Sequence, residues 1–542
     1  MPRVLCYDTT LRDGTQAEDI NLTTEDKLRI ALKLDELGLA YIEGGWPGSN
    51  PTDKRFFEEI QNYSLKTASI SAFGSTHNHR GTAEADPNLK ALVESGAPVA
   101  TIFGKSWDIH VTEALGTTLP RNLELVGDSL RFLRGHFREL FFDAEHFFDG
   151  YKANPDYALS VLRRAHEAGV DALVLCDTNG GTLPSDFRAI MTAAMAALPD
   201  ARFGVHAHND SGVAVANSIE GVELGAVQVQ GTINGYGERC GNANLCSIIP
   251  SLMLKRGIDC LPEGKLALLT PTAHFVSEMV NQQPPSNQPY VGSGAFAHKG
   301  GVHVSAVVKN PLTYEHITPE AVGNERRVLL SDLSGQSNIL YKAREFGFEL
   351  DKNDPFVLEL LSTIKEREAL GYEYTAAEAS YELLLNRVLG RARSYFTVTR
   401  YRVLDDNAYE CMEPLTEATV MIKVGGRVKH TAATGRGPIN ALDKSIRKAL
   451  RGFYPRLAEM RLLDFKVRVL SGTAADENCG KGGCGTASHV RVLVESGDAL
   501  KRWVTVGVSH NVIEASFQAM EDAINYKLFS DDKEKLTKAL RG

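Results

Sequence analysis

The stretch Val4-Leu5-Cys6-Tyr7-Asp8-Thr9-Thr10-Leu11-Arg12-Asp13-Gly14 decides how the chain is read. An apolar strand opens almost at once and delivers an arginine beside an aspartate, and a glycine then lets the backbone turn away. Arg12 is always cationic and Asp13 anionic at neutral pH, a pair suited to holding a metal ion and an anionic substrate together. Working outward, the same kind of strand recurs at residues 41–43, 67–72, 99–103, 139–142, 172–176, 202–206 and 226–230. These are continuous apolar runs rather than alternating ones, which indicates a parallel sheet buried on both faces. Helical stretches separate them. In Thr24–Leu37, Thr23 can cap the start while Ile30, Leu34 and Leu37 recur at helical spacing, and 184–198 opens on Pro-Ser with an apolar stripe. Eight strand–helix units in roughly 250 residues is the size of a (β/α)8 TIM barrel. An open doubly wound sheet is the alternative, but no Gly-x-Gly-x-x-Gly follows the first strand.

The bulk numbers agree with a soluble globular protein of the cytosol. With 542 residues, 43% hydrophobic and 23% charged, the chain is an ordinary globular protein of two or three domains. Its net charge of −9 argues against nucleic acid as a partner. No apolar run approaches the ~20 residues of a membrane helix, and Met1-Pro2-Arg3 does not read as a signal peptide. The eight cysteines are scattered, as reduced thiols are, and Cys479-Gly480-Lys481-Gly482-Gly483-Cys484 reads as a flexible loop.

Polar residues collect where this fold keeps its active sites, at the C-terminal ends of strands. Strand one leads to Arg12-Asp13, strand two to Glu43, strand five to Asp143-Ala144-Glu145-His146 and strand six to Asp177-Thr178-Asn179. Strand seven ends in His206-Ala207-His208, and strand eight runs into the loop Glu238–Asn242. Residues i and i+2 of a strand face one way, so His206 and His208 are expected to point together into the barrel mouth. Two imidazoles, a carboxylate and an amide oxygen make a mixed N/O set that suits Mn, Zn, Co, Fe or Mg.

Asp8-Thr9-Thr10-Leu11-Arg12-Asp13-Gly14, His206-Ala207-His208-Asn209-Asp210 and residues 235–244 together resemble the DRE-TIM metallolyases, in their Claisen-condensing branch of isopropylmalate, homocitrate and citramalate synthases. Residues 43–51 and 142–150 are most similar to the long citramalate synthases. The resemblance implies that Asp13, His206, His208 and Asn242 ligate a divalent metal, that Arg12 polarises a keto oxygen, and that Thr178 holds a keto-acid carboxylate. It makes Glu145 a catalytic carboxylate and His303 the general base or its relay, with Tyr314 near the same site. The implied reaction condenses acetyl-CoA with pyruvate and hydrolyses the thioester. The same machinery with 2-ketoisovalerate is an isopropylmalate synthase. A barrel without catalysis that only responds to amino acids is the reading from another class.

Beyond the barrel, residues 282–289 are polar and Pro-rich and read as a connector. Residues 354–370 and 376–389 read as helices. The periodicity then changes to strands at 396–404, 418–424 and 428–433, with a Gly425-Gly426 hairpin, and a helix from Pro438. Strands at 463–470, 487–495 and 501–507 and a helix at 512–528 repeat that pattern of three strands and a helix. This part resembles the amino-acid-sensing, dimerising domain of the same synthases, which implies a homodimer and an effector, isoleucine for a citramalate route. The expected organisation is a barrel at 1–270, helical linker subdomains at 271–392, an α+β regulatory domain of two βββα units at 393–530 and a polar tail at 531–542.

Overall fold

The computed structural model describes residues 3–329, 334–406, 415–470 and 488–541. Eight parallel strands close into a barrel in chain order. They are β1 (Leu5–Asp8), β2 (Tyr41–Gly45), β3 (Ser69–Ser75), β4 (Val99–Lys105), β5 (Glu139–Glu145), β6 (Ala172–Asp177), β7 (Phe203–Ala207) and β8 (Gln228–Gly231), and β1 pairs with both β2 and β8. The apolar runs therefore mark the barrel strands. The helix Thr24–Leu37 carries a reciprocal capping box between Thr23 and Asp26 and stops on Gly38 at φ 97°, a left-handed turn that favours glycine.

The barrel adds two details to the sequence reading. β1 closes at Asp8, and Arg12 and Asp13 stand in the turn beyond it. The cause is local: the Asp8 carboxylate accepts from the Thr10 backbone N–H at 3.0 Å and the Thr10 hydroxyl at 2.8 Å, which turns the chain out of the sheet. The connector 282–289 is packed against the barrel. Buried Gln288 donates to Asn234 Oδ1 at 3.0 Å, and Tyr290, Val291 and Phe296 join the barrel's apolar core. The compact unit around the barrel runs on to Phe296 and recovers Glu315–Arg326, past the expected boundary at 270.

The second compact unit holds Ala297–Tyr314 and the chain from Arg327 onward. It contains a short parallel pair, β9 (Ala297–His298) with β10 (Arg327–Val328), and the helices Gly301–Lys309, Gln336–Glu345, Pro355–Ala369 and Glu378–Val388. Its two antiparallel sheets are β11 (Thr397–Asp406), β12 (Leu415–Val424) and β13 (Arg427–Gly435), then β14 (Arg461–Leu470), β15 (His489–Gly497) and β16 (Arg502–Ser509). The hairpin between β12 and β13 turns on Gly425 and Gly426, at φ 51° and 85°, as a two-residue loop with both central residues left-handed requires. Helices Pro438–Leu450 and Val512–Arg541 follow the two sheets, and Val420, Ile422, Leu442, Ile446, Val494, Trp503 and Met520 fall in one shared core. The internal repeat is thus real. The loop 479–484 lies outside the described residues.

Residues of the linker region bond to the helix that follows the second sheet. Tyr372 Oη donates to Gln518 Oε1 at 2.9 Å, and Asp522 accepts from Ser380 Oγ at 2.9 Å and Arg387 at 2.6 Å. Residues 531–541 are not a tail, because the last helix continues through them. Their polarity serves ion pairs: Asp531 with buried Lys527 at 3.0 Å, Asp532 with Arg456 at 2.8 Å, and Glu534 with Lys501 at 2.7 Å.

One carboxyl of this helix gives a pH prediction. Burial, then Asp522, pushes Glu521 from 4.5 up to about 7. Between those values the unfolded chain ionises Glu521 while the folded one keeps its proton, so this group lowers stability as pH rises through that window. Glu521→Gln should therefore raise the denaturation midpoint at pH 8, by an amount worth on the order of 2 kcal/mol, and leave it unchanged near pH 4. Equal gains at both pH values in thermal melts would refute the assignment.

Candidate active site

The turns after β1, β5, β6, β7 and β8 converge on a cavity of about 210 Å³ lined by Arg12, Asp13, Glu145, Thr178, His206 and His208, with Trp46, Phe73 and Phe103 as an aromatic wall. At its floor Asp13, His206 and His208 form a buried cluster. Asp13 Oδ2 lies 3.4 Å from His206 Nε2 and 3.8 Å from His208 Nε2, and the two Nε2 atoms are 3.3 Å apart. His208 stands just past the end of β7 and pairs with Asn242 in an isolated antiparallel bridge. Asn242 donates its amide to Tyr236 O at 3.2 Å. Among the described residues, Asn242 Oδ1, Asp13 Oδ1 and His208 Nδ1 are buried and find no hydrogen-bond partner.

Such orphaned atoms are costly unless something else satisfies them, and a cation does so. One carboxylate, two imidazoles and a nearby amide oxygen are the donor set of a divalent metal, so the residues present fit one. The electrostatics agree. Burial works to raise Asp13, but Arg12, His206 and His208 outweigh it and hold the carboxyl far below its usual range. Burial, then His206, pushes His208 down to about 4, which keeps that imidazole neutral and able to ligate.

Arg12 is held rather than free. Its Nε donates to Glu43 Oε2 at 2.6 Å, Nη1 lies 3.4 Å from Asp13 Oδ2, and its guanidinium covers the Phe73 ring at 3.7 Å. Glu43 is fully buried and also accepts from Tyr7 Oη at 2.6 Å and from the Thr9 hydroxyl. Sequence reasoning placed Glu43 at a strand end and gave it no role. The signal was there: a carboxylate inside an apolar strand needs a cation.

Thr178 Oγ1 accepts from the His146 backbone N–H at 2.9 Å, which leaves its own hydroxyl hydrogen to donate. Glu145 is paired with Lys105. His303 and Tyr314 belong to the second compact unit, where their rings stack with centroids 4.3 Å apart.

Arg239 went unremarked in the sequence. It donates to both oxygens of Asp210, at 2.8 and 3.0 Å, and to the Thr178 carbonyl at 2.7 Å, while sitting at φ 58°. It thereby ties the turns after β6 and β7 to the loop that carries Asn242. Arg239→Ala should raise the substrate KM about tenfold at unchanged fold, the loss of charge-assisted bonds worth ~1.5–3 kcal/mol. A wild-type KM in steady-state kinetics would show that the clip does not matter.

A closed parallel barrel with a buried Asp/His/His cluster at its strand ends defines a TIM-barrel protein with a candidate metal site, and the family comparisons narrow the class. The HMGL-like family model matches residues 3–276, the homocitrate synthase post-HMGL domain-like model 290–369, and the LeuA allosteric (dimerisation) domain 375–528. The (R)-citramalate synthase of Geobacter sulfurreducens is 56% identical over 98% of this chain and 99% of its own length. That of Aquifex aeolicus is 52% identical over 98% and 99%. The 2-isopropylmalate synthase of Methanocaldococcus jannaschii is 30% identical over 98% and 96%. The chain belongs to the (R)-citramalate synthase family of HMGL-like barrels.

Proposed function

We propose that this protein condenses acetyl-CoA with pyruvate and hydrolyses the thioester, giving (R)-citramalate and CoA. The observation that carries the reading is the end-to-end identity of 56% with a citramalate synthase, against 30% with an isopropylmalate synthase, over a barrel whose cavity floor bears the Asp13–His206–His208 cluster.

Asp13, His206, His208 and Asn242 would hold a divalent cation, which when bound supplies a Lewis acid at the keto carbonyl. Arg12 lies beside this cluster, so its guanidinium stabilises negative charge as it develops on the former keto oxygen. The Thr178 hydroxyl, already accepting from His146, donates to the keto-acid carboxylate. Trp46, Phe73 and Phe103 form an aromatic wall of the same cavity, against which the keto-acid substituent would pack. A base must take a proton from the acetyl methyl, and Glu145 with His303 is our assignment for that transfer, with Tyr314 beside His303. Lys105 orients Glu145. Water then attacks the thioester carbonyl and the CoA thiol leaves.

The C-terminal pair of βββα units is assigned to dimerisation and to feedback by isoleucine, the amino acid that suits a citramalate route. No helix among the described residues is long and apolar enough to cross a membrane, and we place the enzyme in the cytoplasm.

The test is thiol release from acetyl-CoA by chelator-treated enzyme, with and without added divalent metal, comparing pyruvate, 2-ketoisovalerate and 2-ketoglutarate. Metal-dependent release with pyruvate alone is the expected result. Preference for 2-ketoisovalerate would make this an isopropylmalate synthase, and no release with any of them would leave a binding protein.

A further inference from the structure

Gln230, on β8, is completely buried in the barrel and shares a register position with His206 on β7. A buried primary amide needs both ends matched. Gln230 Nε2 donates to Asp143 Oδ1 at 3.0 Å, and Gln230 Oε1 lies 2.8 Å from His206 Nδ1. Asp143 lies on β5, across the barrel, and is itself buried. These contacts form one directed chain from β5 to β8 to β7.

The direction follows from donor and acceptor inventory. An ionised Asp143 carboxylate can only accept, so the amide nitrogen of Gln230 belongs on that side. The amide oxygen is then left facing His206 Nδ1, and an oxygen there can only accept, so Nδ1 carries the hydrogen. In the neutral imidazole this leaves the lone pair on Nε2, the atom that lies 3.4 Å from Asp13 Oδ2 and 3.3 Å from His208 Nε2.

We propose that Gln230 is a positioning residue that fixes His206 as its Nδ1–H tautomer, with Nε2 free to ligate, and that Asp143 fixes Gln230. The inference rests on the proposed reading of Asp13, His206 and His208 as metal ligands, and it assigns that site an outer partner on which its affinity depends. Reversal of the amide would place an N–H against Nδ1 and demand the opposite tautomer, with the hydrogen on the ligating nitrogen.

The experiment measures cobalt(II) binding to chelator-treated full-length protein, by calorimetry and by the visible absorption of the bound ion, independently of turnover. Gln230→Met keeps the volume and removes both bonds, and cobalt affinity should fall about 10–100-fold with an altered spectrum, the size usual for outer partners of ligating histidines. Asp143→Leu should cost a comparable amount, because the amide is no longer oriented. The double variant should be no worse than Gln230→Met alone, since both residues act through one bond to His206. Asp143→Asn keeps an accepting oxygen and should bind cobalt within about threefold of the native protein. Circular dichroism melts identify any variant that fails to fold, and Asp143→Asn supplies a fold-conserving arm. Native affinity and spectrum in Gln230→Met would overturn the proposal, as would multiplicative losses in the double variant or an Asp143→Asn as weak as Asp143→Leu. A native protein that binds no cobalt would instead overturn the metal reading itself, and this inference with it.

Discussion

Asp13→Asn is expected to fold normally, bind divalent metal far more weakly, and lose at least about a thousandfold in thiol release at saturating pyruvate. Asp13 is the one carboxylate of the Asp13–His206–His208 cluster. Asparagine preserves its shape, but it exchanges an anion with two accepting oxygens for a neutral amide. Three groups that now lean on the charge are then left facing each other: the Arg12 guanidinium at 3.4 Å and the two imidazoles at 3.4 and 3.8 Å. A cation entering the site would meet positive potential rather than negative. Several kcal/mol of transition-state stabilisation rest on such an ion, and each ~1.4 kcal/mol is a factor of ten in rate. His208→Ala should behave alike, since it removes a neutral nitrogen ligand. A wild-type rate in either variant after metal depletion would show that the cluster is not the working site.

The sequence made the barrel and most of this site legible for physical reasons that can be named. Strands buried on both faces are unbroken apolar runs, so each barrel strand has a visible end, and the polar residues past those ends are the ones that meet in the cavity. His206 and His208 share a face because a strand repeats every two residues, and their Nε2 atoms do approach to 3.3 Å. Gln230 was invisible for a related reason. Residues 226–230 read as one more apolar run, yet Gln228 and Gln230 stand inside it and both are buried, Gln230 against His206. Polarity also misled at 531–541, where acidic residues in a row read as solvated chain but pair with Lys501, Arg456 and Lys527. The connector 282–289 was legible from its prolines, but composition says nothing of what Gln288 bonds to.

Glu43→Gln should keep the barrel folded and cut turnover by about 10²–10³, the range for losing one well-placed electrostatic contact in a transition state. Glu43 does not line the cavity, and its direct link to a residue that does is Arg12, whose Nε donates to it at 2.6 Å. The carboxylate sets the guanidinium on the Phe73 face, where Nη1 stops 3.4 Å from Asp13. A neutral amide weakens that hold, and the guanidinium is drawn instead toward the remaining anion, Asp13, where it competes with any cation for the same oxygens. Metal affinity should therefore drop along with turnover. Glu43→Ala is a harsher change, because a buried charge that loses its partner costs ~3–5 kcal/mol, and a lower melting temperature is expected there. The test of mechanism is a cycle with Arg12→Met. If Glu43 acts only by positioning Arg12, Glu43→Gln should add no further loss of turnover in the Arg12→Met background. A second, independent drop would mean that Glu43 contributes on its own, through Tyr7 and Thr9 and the shape of the barrel mouth.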